Sequence, residues 1–79
     1  MFKEFDTVVF ANNITKHSLK KGDVGTIVHV YKGRKAFEVE VVKADGKTIA
    51  VLTVKPEDIR EMNSNEILSV RDFAPIQAG

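Results

Sequence analysis

The sequence predicts an all-β protein, a small barrel of four or five short strands. Apolar side chains recur at every second position through much of the chain, the spacing of a half-buried strand rather than of a helix. Asp45-Gly46 stands between two such stretches and is the strongest short hairpin signal present. No segment alternates strands with helical patterns, which argues against a doubly wound nucleotide-binding fold.

Each element follows from its residues. Residues 6–11 are rich in β-formers and stop at Asn12-Asn13, a turn signal. Residues 12–23 have no sustained period and read as a loop, tied to the core by Ile14 and Leu19. Residues 24–31 form the clearest strand, with Val24, Thr26, Val28 and Val30 on one face and Gly25, Ile27, His29 and Tyr31 on the other. Good side chains on both faces suit a strand that bends within a barrel, and Gly25 permits a bulge or close backbone packing. Lys32-Gly33-Arg34-Lys35 is a tight turn into residues 36–42, where Phe37, Val39 and Val41 alternate with Glu38 and Glu40. Thr48–Val54 is the strand after the Asp45-Gly46 hairpin. Pro56-Glu57-Asp58-Ile59 reads as one helical turn with proline at its start, and Arg60-Glu61-Met62 as a last short strand.

The barrel thus spans residues 1–62, and residues 63–79 form a C-terminal tail. Asn63 and Glu66 have the spacing of a capping box, and Ile67, Val70 and Ala74 would share one face of a short helix. An extended strand fits Ile67-Leu68-Ser69-Val70 nearly as well, and the end from Pro75 is expected to fray.

At 79 residues the chain has room for one domain. The 43% apolar and 29% charged shares are those of an ordinary globular protein, and a net charge of +1 announces no strong field for nucleic acid or membrane. Without cysteine there is neither a disulfide framework nor a thiolate metal centre. No apolar run approaches the roughly 20 residues that span a bilayer, and the first residues lack the order of a signal peptide. The expected location is cytoplasmic, with no membrane partner.

Four stretches together resemble one bacterial family: Phe5-Asp6-Thr7-Val8-Val9, then Leu19 through Val28, then Ala36-Phe37-Glu38-Val39-Glu40-Val41, then Lys55-Pro56-Glu57-Asp58-Ile59-Arg60. The chain is similar, over residues 2–62, to the family catalogued as domain of unknown function 4926. The resemblance implies an SH3-like five-stranded barrel with a short helical turn and a C-terminal tail. It implies no catalytic residues. More remotely, Gly22-Asp23-Val24-Gly25-Thr26 is similar to a strand of the KOW modules, which are binding modules; that likeness concerns fold alone.

Enzymatic chemistry finds little support. His17 and His29 are the only histidines, and Ser18 beside His17 lacks a strand–turn–helix nucleophile elbow. Glu38 and Glu40 share a strand face at about 7 Å, a spacing that glycosidases use, yet the solvated face of a strand carries such pairs routinely. There is no metal-ligand spacing and no phosphate loop, so no catalytic, metal or cofactor residue is assigned.

Two binding readings remain. Residues 14–35 hold six cations and one acid, Asp23. Gathered at one rim, Lys16, Lys20, Lys21, Lys32, Arg34 and Lys35 with Tyr31 would make a weak, sequence-tolerant nucleic-acid surface. The plainer account of such lysines is that they keep loops solvated and blunt strand edges. The favoured expectation is a non-catalytic accessory module that binds a protein partner or forms a homo-oligomer. Its contact residues would be Ile67, Leu68, Val70 and Phe73 of the tail.

Overall fold

The computed structural model describes residues 2–73. Five antiparallel strands form one sheet: β1 (Thr7–Phe10), β2 (Val24–Val30), β3 (Phe37–Val42), β4 (Thr48–Val54) and β5 (Ile59–Glu61). Their order across the sheet is β4-β3-β2-β1-β5, so the meander β1 to β4 is completed when β5 returns to β1. This is the SH3-like barrel, with a one-turn 3-10 helix at Pro56–Asp58 before the last strand. Pro56 suits a helix start because its missing N–H would have no partner there. The Asp58 carboxylate accepts the backbone N–H of Lys55, which closes the turn.

Alternation places the core. Phe37, Val39 and Val41 of β3 are buried, while Glu38 and Glu40 face outward. They meet Val8 and Phe10 of β1, Ile27 of β2, Leu52 and Val54 of β4 and Ile59 of β5. Burying a side chain such as Phe10, at 0% exposure, contributes about 1.5–3 kcal/mol. Phe2 closes one end of this core with its ring edge-on to Phe37, centroids 5.3 Å apart. Within the 11–23 loop, Ile14 bridges Leu19, and Leu19 is fully buried, as their apolar character demands.

Three details differ from the expectations. Strict alternation along residues 24–31 fails after Ile27. Ile27 pairs with Val39, but His29 pairs with Glu38, so Val28 is the extra residue of a β-bulge. Past the bulge the faces exchange: His29 turns outward and Val30 packs against the core. The close packing expected at Gly25 is present, since a Cβ there would stand 2.5 Å from Val39 Cγ1. The bulge, however, is three residues further on.

The tail is the second difference. Residues 62–73 form neither helix nor strand. The Asn63–Glu66 spacing works locally: the N–H of Asn63 donates to the Glu66 carboxylate and the N–H of Glu66 to the Asn63 carbonyl. One turn does not nucleate a helix, and β-branched Ile67 and Val70 do not propagate it. Ala74 and the fraying expected from Pro75 lie outside the described residues. The third difference is the distribution of the lysines, which divide between the two ends of β2.

Candidate functional site

The strand edges are the first feature to account for. β5 at one edge has only three residues, whereas β4 at the other has seven. Its sequence, Thr48-Ile49-Ala50-Val51-Leu52-Thr53-Val54, contains no charge and no proline. Among the described residues β4 makes one ladder, to β3. Exposed strands are usually blunted by charge, proline or shortness. Here the charges and the proline stand outside the strand, Lys47 before it and Lys55-Pro56 after it, and within it the one interruption is Ile49, a bulged residue between Thr48, paired with Val42, and Ala50, paired with Val41.

The 11–23 loop borders this edge. Its tip, Lys16 and His17, lines one groove with Lys43, Lys47, Ile49 and Phe73, and a second with Val51, Leu52 and Val54. Lys43 is paired with Asp45 across 3.8 Å, both exposed. Both grooves beside β4 are therefore open; the one at the start of the strand is cationic at its margin, with Lys16, Lys43 and Lys47, and the one at its end sets Lys16 against Asp58.

The tail is pinned at two points. Arg60 of β5 makes a two-pronged contact with Glu66, at 2.8 and 2.7 Å. Five residues on, Arg71 donates from Nε to Asp23 Oδ1 at 2.9 Å and from a terminal nitrogen to Asp23 Oδ2 at 2.5 Å. The same terminal nitrogen also reaches the Ser18 carbonyl at 3.3 Å. Such forked guanidinium–carboxylate contacts fix direction as well as charge. Hydrogen bonds from Arg60, aided by the Asn63 N–H, hold the Glu66 carboxyl at about 2, below its usual 4.5. Partial burial alone would raise Asp23, but the Arg71 hydrogen bonds, the Lys20 N–H and the nearby cations outweigh it and lower the carboxyl.

Between the two clamps the chain forms no helix or strand and carries its apolar side chains in solvent. Ile67 is 91% exposed, Leu68 66% and Val70 95%. No described residue hydrogen-bonds to the backbone of residues 67–70. Phe73, half-buried, reaches the groove at the start of β4. Of the four tail residues expected to bind a partner, three are presented to solvent and one is tucked against the barrel.

The expected basic patch does not gather. Lys16, Lys20 and Lys21 belong to the loop that enters β2 at Val24, whereas Tyr31, Lys32, Arg34 and Lys35 follow its far end at Val30. Seven residues of strand, about 20 Å, lie between the two groups. Arg34 is further engaged with the Phe2 carbonyl. A long loop and a short turn at opposite ends of one strand are neighbours in sequence only. The cations that do share a groove with Lys16 are Lys43 and Lys47 of the β3–β4 hairpin, too far along the chain to be linked to it by spacing.

The histidines and glutamates also separate. His29 stands on the outer sheet face, its ring edge-on to Tyr31 with centroids 4.8 Å apart. Glu38 accepts from the Tyr31 and Thr53 hydroxyls, and Glu40 from the Thr48 hydroxyl at 2.9 Å. His17 is at the loop tip by β4. Among the described residues no group of three or more His, Asp or Glu could hold a metal ion. No helix among them is long and apolar enough to cross a membrane.

Against known proteins, residues 4–61 match the model of a family described as Domain of unknown function (DUF4926). No curated protein and no solved structure matches the chain.

Proposed function

The chain belongs to the DUF4926 family, and we propose that it is a non-catalytic interaction module that takes up a protein strand at the edge of β4. The observation that carries this is the edge itself: seven consecutive uncharged residues with one ladder partner among the described residues. A strand added there gains main-chain hydrogen bonds for affinity, while alternate side chains read the grooves alongside for specificity. Lys47 and Lys55 at the two ends, with Lys16 and Lys43 at the margin, favour a partner that is extended, apolar and flanked by acids.

Lysine on an edge strand blocks strand addition without disturbing the core behind it. Val51 is 51% exposed and Thr53 is exposed, so Val51→Lys with Thr53→Lys leaves the barrel intact. Immobilised full-length chain is expected to retain a protein from a lysate that the double variant, of equal melting temperature, releases. Identical retained proteins on both would contradict the edge as the binding surface.

A further inference from the structure

We infer that the strand taken up by β4 is the tail segment Glu66–Asp72 of a second copy of this chain. This rests on the reading of β4 as a strand-accepting edge and names its occupant.

The two segments match in length and in the charges at their ends. The edge is an uncharged run bounded by Lys47 and Lys55; the tail segment is a run of Ile67, Leu68, Ser69 and Val70 bounded by Glu66 and, past Arg71, by Asp72. Centring one on the other places Ser69 opposite Val51. Counted along the sequence, each acid of the tail then falls one residue inside a lysine of the edge, whether the strands run parallel or antiparallel, and the Ile49 bulge lies at the Lys47 end, outside the Ala50–Leu52 centre. Leu68 and Val70 fall at the positions opposite Ala50 and Leu52, the β4 side chains turned toward the core. The tail forms neither helix nor strand of its own, and its backbone between the clamps is unused among the described residues. The two clamps hold its ends, which lowers the ordering cost that a free peptide meets on binding.

The tail does not satisfy its own edge in this way. The clamps fix it to Arg60 on β5 and to Asp23 before β2, and only Phe73 reaches the start of β4. Reciprocal pairing of two copies, each tail on the other's β4, closes as a two-fold dimer. The contact is short, so the dimer is weak, in the range of about 10 μM to about 1 mM.

The absence of cysteine makes a clean test available. Full-length chains carrying Val51→Cys and Ser69→Cys are mixed under a mild oxidant, with Lys32→Cys as a control at the far end of β2. The expected result is a 51–69 mixed disulfide formed at least tenfold faster than the 51–51, 69–69 or 32-containing products. Sedimentation of the cysteine-free chain is expected to show a dimer that Leu68→Ser with Val70→Ser converts to monomer. A chain that stays monomeric to about 1 mM, a 51–69 product no faster than the control, or a dimer untouched by the Leu68 and Val70 changes would each overturn the assignment. A strictly monomeric chain whose Val51→Lys, Thr53→Lys variant still releases a captured protein would overturn only the second copy as occupant and leave β4 as the binding edge.

Discussion

Gly25 shows how one missing atom sets the packing of two strands. β2 crosses β3 so closely there that a Cβ would meet Val39 Cγ1 at 2.5 Å and the Glu40 carbonyl oxygen at 3.1 Å. The second neighbour is backbone in mid-strand and cannot turn away. Gly25→Ala is therefore expected to destabilise by about 1–3 kcal/mol, the range for overpacking a core, as read by the denaturant midpoint. An unchanged midpoint would show that the strands separate there at no cost. Gly46 is glycine for a different reason: its φ of +86° closes the hairpin, with its N–H bonded to the Lys43 carbonyl. Both glycines were legible from sequence, one through Asp45-Gly46 and one through its place in a β-rich run. Val28 was not. A bulge inserts one residue without altering composition, and only the pairing of Ile27 with Val39 and His29 with Glu38 exposes the change of face.

At the scale of the element, the tail is held by charge where the strands are held by burial. Its two clamps join residues 6 and 48 positions apart. The Asn63–Glu66 turn could be read from spacing, but nothing in a single sequence ties Arg71 to Asp23. That is why a helix or strand was expected where the chain is irregular and pinned. The clamps also set a pH dependence. Docking lowers the Glu66 carboxyl from 4.5 to about 2 and lowers Asp23 as well. A carboxyl depressed in the docked state favours docking fully above its free value and loses that contribution as pH falls through the depressed one. Tail docking is thus expected to be constant from pH 8 down to about 5 and to weaken between about 4.5 and about 2. Chemical shifts of Ile67–Val70 would follow this while those of β3 stay fixed above the barrel's own acid transition. Tail shifts that move between pH 6 and 8 would contradict it.

For the whole molecule, strand order determines which residues can act together. The fold class, β4 with its exact ends, the proline turn and the apolar anchors of the 11–23 loop all follow from patterns within a few residues. The composition of a surface does not, because it depends on which ends of which strands share a rim. The six cations of residues 14–35 divide between the two ends of β2, and Lys16 joins Lys43 and Lys47 beside β4 instead. The long uncharged edge arises in the same way: Thr48–Val54 is an ordinary strand in the sequence, and becomes an edge only because β5 returns to β1 and leaves it at the border.

The most direct measurement is a titration of the isotope-labelled full chain with a free seven-residue peptide of its own tail, Glu66 to Asp72, followed residue by residue by NMR. Strand addition predicts amide shift changes concentrated in Thr48–Val54, with smaller ones at Lys47 and Lys55, and their loss in the Val51→Lys, Thr53→Lys variant. Changes centred on another strand would contradict β4 as the edge that binds, and none with peptide at about 1 mM would contradict the tail as its occupant.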